Sequence, residues 1–377
     1  MENQNSVCYV ARINEIKPIE GADKIELAVV GGWNCIIQKG QYAEGGLVIV
    51  ATTDAVIPQE LSDAMNVTSY LRKGQRVRTV KLKGIYSECL IIPFNMTVGR
   101  TKVVKTWKEG DDLMEAMGVF KYEPPVKTIS LGGGRKVRYQ DNPNFSVYYK
   151  FPNIKNVPDM FTGNDLVEIT RKIHGTNARY GIVKKNKLSI WDKIKRFFGD
   201  PWVGYEFVVG SHNVEKGSDS QGYYDTNVWY EIADKNNLKE KMWNIAKTRG
   251  VDDIGSGMVL YGEIYGAGIQ KGYDYGLNEI KFVGFDVSIN GKYVDTQKAK
   301  YIIEAHFRVP YVPILYMGFW SKTIQDSYVV DNFIEGTKVP HEGIVVKEVS
   351  GDRRKIAKVI NPAYLIFGEK HDIGDSH

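Results

Sequence analysis

The residues with the clearest chemical potential lie in Lys172-Ile-His-Gly-Thr-Asn-Ala-Arg179. They follow Leu166-Val-Glu-Ile-Thr170, whose β-branched bias predicts a strand. A lysine at the end of a buried strand, ahead of a glycine turn, sits on the wall of a pocket. Burial lowers an ammonium pKa, and the neutral amine is the nucleophile. Lys-x-x-Gly also describes an exposed lysine before a turn, so the chemistry depends on its companions. Four further elements follow in order: Gly262-Glu263, Phe282-Val-Gly-Phe285, Glu342-Gly-Ile-Val-Val-Lys347 and Lys355-x-x-Lys358. Each is expected on a strand or at a strand end.

The frame that must position them is a chain of 377 residues, enough for two or three domains of roughly 100–200 residues. A hydrophobic content of 43% and a charged content of 25% are those of a globular protein. The net charge is +5, from 50 basic and 45 acidic residues, so any basic groove is local. Cys8, Cys35 and Cys89 have neither zinc spacing nor an even count, which points to a reducing compartment. No apolar run is long enough to span a membrane, and the polar N-terminus does not read as a signal peptide. The expectation is a soluble cytoplasmic or other intracellular monomer without a membrane partner.

Residues 1–125 read as short strands between Gly, Pro and Asp turns, the pattern of a small β-barrel. Gly21-Ala-Asp-Lys-Ile-Glu26, Ala43-Glu-Gly-Gly-Leu-Val48 and Val56-Ile-Pro58 resemble the OB-fold modules of some tRNA-binding proteins. The stretch Arg76–Gly84 reads as one basic strand, whose Arg76, Arg78, Lys81 and Lys83 either face a polyanion or protect a sheet edge. Residues 126–147, with the Gly132-Gly-Gly134 run and the turn-like Asp141-Asn-Pro-Asn144, are expected to be a linker. Residues 148–377 mix strands and helices without βαβ alternation, indicating an α+β domain with antiparallel sheets. Within it, Asn227–Arg249 reads as one amphipathic packing helix.

The five elements, in that order, resemble motifs I, III, IIIa, IV and V of the covalent nucleotidyltransferases: DNA ligases, RNA ligases and capping enzymes. Lys172-Ile-His-Gly-Thr-Asn177, with Tyr261-Gly-Glu-Ile-Tyr265 and Asp274-Tyr-Gly276, is most similar to the nick-sealing RNA ligase 2 family. The resemblance implies an ATP-grasp-like ligase domain behind the OB-like, nucleic-acid-binding one. It implies ATP as cofactor, AMP carried covalently on Lys172, and Mg²⁺, with Mn²⁺ able to substitute. Glu263 would bind the ribose, Phe282 would stack on adenine with Phe285 in the core, and Lys347 and Lys358 would neutralise the α-phosphate. Glu342 would hold the metal. His174, Gly175 and Arg179 would contact the nucleotide, and Thr176 and Asn177 the nucleic acid. The implied partner is RNA, or an RNA/DNA duplex, with a 3′-OH/5′-phosphate nick. Two departures stand out. Ile360 takes the place of a second motif V lysine, and Ser211-His212 stands where an arginine is usual. A capping guanylyltransferase or DNA ligase would share the motifs but normally carries an OB domain after motif V, for which little chain follows Lys358. An RNA-binding protein with an inactive domain is the non-enzymatic alternative, against which the intact lysines and glutamates argue.

Overall fold

The computed structural model describes residues 6–97, 107–122, 142–212, 215–216, 227–349 and 354–371. The first module begins with β1 (Cys8–Pro18), β2 (Ile25–Val30), β3 (Trp33–Gln38), β4 (Leu47–Thr52) and β5 (Ala55–Val56), then α1 (Gln59–Ala64). It continues through β6 (Val80–Leu82), β7 (Ile85–Ser87), β8 (Cys89–Ile92), α2 (Met114–Met117) and β9 (Phe120–Lys121). The sheet order is β3-β2-β1-β4-β8. β1 serves two neighbours, β4 along Cys8–Arg12 and β2 along Ile13–Pro18, with a register shift between Ile13 and Glu15 where it bends. The Glu88 N–H donates to Asn34 O at 2.8 Å, nearly closing the barrel. This is an OB fold.

The second module contains β10 (Leu166–Lys172), β11 (Thr176–Lys184), α3 (Ile190–Phe197), β12 (Tyr205–Gly210) and β13 (Glu215–Lys216). Helices α4 (Val228–Lys235), α5 (Leu238–Arg249) and α6 (Val251–Ile254) follow, then β14 (Gly257–Gly266), β15 (Ile280–Ile289), β16 (Lys292–Tyr293) and α7 (Thr296–Tyr301). The module ends with β17 (Ile314–Phe319), α8 (Lys322–Ser327), β18 (Gly343–Glu348), β19 (Ile356–Ile360) and α9 (Pro362–His371). Two antiparallel sheets result, ordered β17-β10-β18-β19 and β13-β12-β11-β14-β15-β16. The module is therefore α+β.

Several sequence expectations change. The helix expected over Asn227–Arg249 is two helices, because Asn237 takes a left-handed φ of 55° and breaks the repeat. Trp229, Ile232, Leu238 and Met242 still face the core. The basic strand is confined to Val80–Leu82, and Lys83 and Gly84 form its turn with positive φ at both positions. Residues 126–141 of the expected linker lie outside the described residues; Phe145, near its end, is buried against Val183, Val208 and Tyr261.

Candidate functional site

The site lies where the chain passes from one sheet of the second module to the other. β10 ends at Lys172 and the chain re-enters at Thr176 in β11. Gly175 makes the crossing possible, since a Cβ there would lie 2.1 Å from Ile264 O and 3.0 Å from the Glu263 side chain. The Gly175 backbone amide, close to the Glu263 carboxylate, favours its charged form.

Strand register decides which side chains meet, because alternate residues share a face. Lys172, Thr170 and Glu168 pair with Gly343, Val345 and Lys347, and Val345 pairs with Lys358. All therefore share one face of the four-stranded sheet. Lys172 Nζ donates to Glu342 Oε1 at 2.5 Å. Glu342 is 4% exposed, and its Oε2 has no hydrogen-bond partner and lies 3.9 Å from His174 Nδ1. Gly343 follows at φ 154°, and a Cβ there would sit 2.1 Å from Val359 O. Glycine is thus needed to bring Glu342 in close. Asn361, fully buried, donates its amide N–H to Glu342 O at 2.9 Å and its side-chain N–H to His341 O and Asn332 O.

Glu263 comes from the other sheet, opposite Asn177. Burial pushes its carboxyl up to about 8; Glu342 adds to the rise, and Lys172 and the Gly175 amide oppose it. Asn177 Oδ1 is buried without a partner. Thr176 is half-buried at the start of β11. Burial also lowers Lys358, and Lys172 lowers it further while Glu342 raises it. One amine, two carboxylates and a second cation thus converge from β10, β14, the start of β18 and β19. Lys172 and Glu342 form a partly buried ion pair.

Around the turn is an aromatic support that the sequence reading did not single out. The His174 amide donates to Tyr275 OH at 2.7 Å. The His174 ring packs edge-on against Tyr273 and lies 3.2 Å from Tyr364 OH. Tyr273 OH donates to Pro340 O. His174 is 5% exposed, so it organises the turn through these neighbours.

Three expectations need correction. Phe282 lies in the helix-side core against Tyr180, on the face of Ile264 and away from Glu263. Phe285 sits at the β14–β15 bulge and is half-buried, edge-on to Tyr148, on the face opposite Gly284, whose Cβ direction meets Ile303. Arg179 is 1% exposed and donates to Ser211 O at 2.8 Å and to Phe145 O, so it clamps the segment before Tyr148. Lys347 is 2% exposed and donates to Phe285 O at 2.7 Å, beside Asp286 and Glu168, with burial lowering its pKa. This sets it deep between the sheets rather than at the mouth with Lys172. Lys355 bonds Asp165 at 2.8 Å at the sheet edge.

The basic residues of the first module also have partners. Arg76 pairs with Asp54 and lies over the Tyr122 ring. Arg78 reaches Glu369 of α9 at 2.9 Å, and Lys81 reaches Asp331 at 3.1 Å. Arg78 and Lys81 therefore join the modules, whereas Lys83 is exposed at its turn. With Lys155–Glu88, these pairs set the barrel beside the site, and Asp54 and Lys121 contribute to the field at Lys358.

Comparison with known proteins supplies the lineage. Residues 165–360 match the family model described as RNA ligase, just over half of the chain. The chain belongs to the RNA ligase family. Residues 7–94 match an OB-fold domain model. No curated protein sequence matches. Among solved structures, a Naegleria gruberi RNA ligase variant with ATP and Mn aligns at 23% identity over 98% of this chain and 100% of that one, with a TM-score of 0.68. The same organism's RNA ligase with PPi aligns at 23% identity over 98% and 99%, with a TM-score of 0.66. These similarities establish a shared two-module fold. Among the described residues, no helix is long and apolar enough to cross a membrane.

Proposed function

We propose that this RNA ligase uses ATP, carries AMP on Lys172, and seals a 3′-OH/5′-phosphate nick in duplex RNA or an RNA/DNA hybrid. The observation that carries the reading is the Lys172–Glu342 pair at 2.5 Å, with Glu263 and Lys358 in the same field. The solved relatives with ATP and Mn, AMP and Mn, or PPi support the choice of nucleotide.

In the first step the Lys172 ammonium gives up a proton to solvent and the free amine attacks the α-phosphorus. An N–P bond forms, and the P–O bond to pyrophosphate breaks. A 5′-phosphate oxygen then attacks the same phosphorus, the N–P bond breaks, and the amine regains a proton. Finally a 3′-oxygen attacks the activated 5′-phosphate, forming the phosphodiester and releasing AMP. Charge neutralisation and alignment supply most of the catalysis in such transfers. Lys358 faces the developing phosphate charge. Glu263, whose carboxyl burial raises to about 8, can donate to or accept from ribose hydroxyls. Phe285, not Phe282, is the ring available to a base. Lys347 holds the Phe285 backbone in place from behind.

The residues fit a divalent cation. Glu342 Oε2 is a buried oxygen without a partner, and hard cations take oxygen ligands. Among the described residues no group of three or more Asp, Glu, His or Cys side chains could hold a metal. When bound, such an ion would offset phosphate charge beside Glu342.

A ligation panel tests the reading. Nicked duplexes with ribose or deoxyribose on each side of the break are compared with unpaired strands, with ATP or GTP as cofactor. The expected result is ATP-dependent sealing of nicks with ribose at the 3′-OH side. Preference for GTP, or for unpaired ends, would overturn it.

A further inference from the structure

Helix α3 lies outside the site and no part of the ligase chemistry uses it. It carries the most exposed apolar surface described: Ile190 is 75% exposed, Trp191 72%, Ile194 41%, Phe197 87% and Phe198 80%. Large apolar groups exposed together mark an interaction surface. At about 100° per residue these five positions fall within an arc of about 120°. Lys193 and Lys195 lie roughly 40° beyond its two edges by the same count. Asp192 is on the opposite side, closing the capping box with Ser189 and bonding Lys185 at 3.1 Å. The polar back is therefore tied to the module and the apolar arc points away from it.

Charge narrows the partner. Residues 184–200 contain six basic side chains and two acidic ones. That stretch alone is +4, in a chain whose total is +5. An apolar arc flanked on both sides by lysines suits an anionic lipid surface, because lysine stems run along the apolar layer while their ammonium groups reach phosphate headgroups. A second copy of the chain fits poorly, since pairing two such faces brings the flanking lysines together. Single-stranded RNA needs rings with cations beside them on one face, whereas here Ile190 and Ile194 share the arc and the cations flank it.

We propose that α3 is an interfacial anchor by which this ligase docks on an anionic membrane surface. This is a surface contact without a span, and it departs from the sequence expectation of no membrane partner. Each aromatic ring enters the headgroup boundary and the lysines meet lipid phosphates, so the contact weakens with salt.

Co-sedimentation of the full chain with vesicles tests it, using phosphatidylcholine containing phosphatidylserine and phosphatidylcholine alone. The expected result is binding to the anionic vesicles that falls at least about tenfold in Phe197→Glu/Phe198→Glu. Binding also falls in Lys193→Glu/Lys195→Glu and in high salt. All these side chains are on an exposed helix, and an unchanged melting temperature confirms that the variants are folded. No pelleting, equal pelleting by the aromatic double variant, or equal binding to phosphatidylcholine alone would overturn the proposal. So would a concentration-dependent dimer, or an RNA affinity, lost specifically in Phe197→Glu/Phe198→Glu; the first would reassign α3 to a second copy and the second to RNA.

Discussion

Replacing Glu263 with Gln changes one property of the site, its ability to ionise. The wild-type carboxyl is raised from 4.5 to about 8, chiefly by burial between the sheets, with Glu342 adding to the effect. Such a group contributes stability that is fully present below its unfolded pKa and is lost as pH rises through the folded value. The window is therefore from about 4.5 to about 8. At about 1.36 kcal/mol per unit, the full shift corresponds to roughly 5 kcal/mol. The side chain is partly open to solvent, and screening lowers the expected effect to ~2 kcal/mol. Denaturant unfolding of wild type and Glu263→Gln at about pH 5, 7 and 9 reads the difference directly. The two should be nearly equal at the acid end, and the variant should be more stable by ~2 kcal/mol at the alkaline end. Parallel profiles would refute the buried, neutral carboxyl. A wild type that gains on the variant as pH rises would mean that Lys172 holds Glu263 ionised.

Other consequences of the geometry can be measured separately. Phe285→Ala should raise the KM for ATP at least several-fold with a small stability loss. Phe282→Ala should instead cost about 3–5 kcal/mol of stability, the range for a buried aromatic; the reverse pattern in melting and kinetics would restore Phe282 to the site. Gly175→Ala should lower both stability and adenylylation, by about 1–3 kcal/mol for the former, because its Cβ meets Ile264 O; unchanged melting and activity would show that the turn can yield. Deleting residues 1–125 should weaken nick sealing more than self-adenylylation in paired assays, and equal loss would assign the barrel a structural role.

Much of the site was legible because it is built from strand ends. Motif order along the chain, with period-2 alternation, suffices to put Lys172, Lys347 and Lys358 on one face once the sheet pairs, whereas Glu342 joins them only through the Gly343 backbone. Gly175 was legible as a turn residue, although the need for it, as for Gly343, is a close approach, to Ile264 O and Val359 O respectively. What the sequence could not supply is register. The pairing of Glu263 with Val283 and of Ile264 with Phe282 turns Phe282 away from the pocket and leaves Phe285 on the pocket side. A surface or nucleotide contact and a buried clamp both use arginine, so Arg179 gave no sign that it binds the Ser211 and Phe145 carbonyls. The basic run near Arg78 and Lys81 likewise carries no mark of its distant partners, Glu369 and Asp331, more than 200 residues away. Tyr273, Tyr275 and Tyr364 were missed because tyrosine is frequent here, with 23 in the chain, and their convergence on His174 is a tertiary fact.

Intact-mass and peptide-mapping spectrometry of the protein after incubation with ATP and Mg²⁺ tests the central claim most directly. Wild type should gain the mass of one AMP, removable by acid, on the peptide containing Lys172, and Lys172→Ala should gain none. An unmodified wild type, or the same gain in Lys172→Ala, would contradict the account.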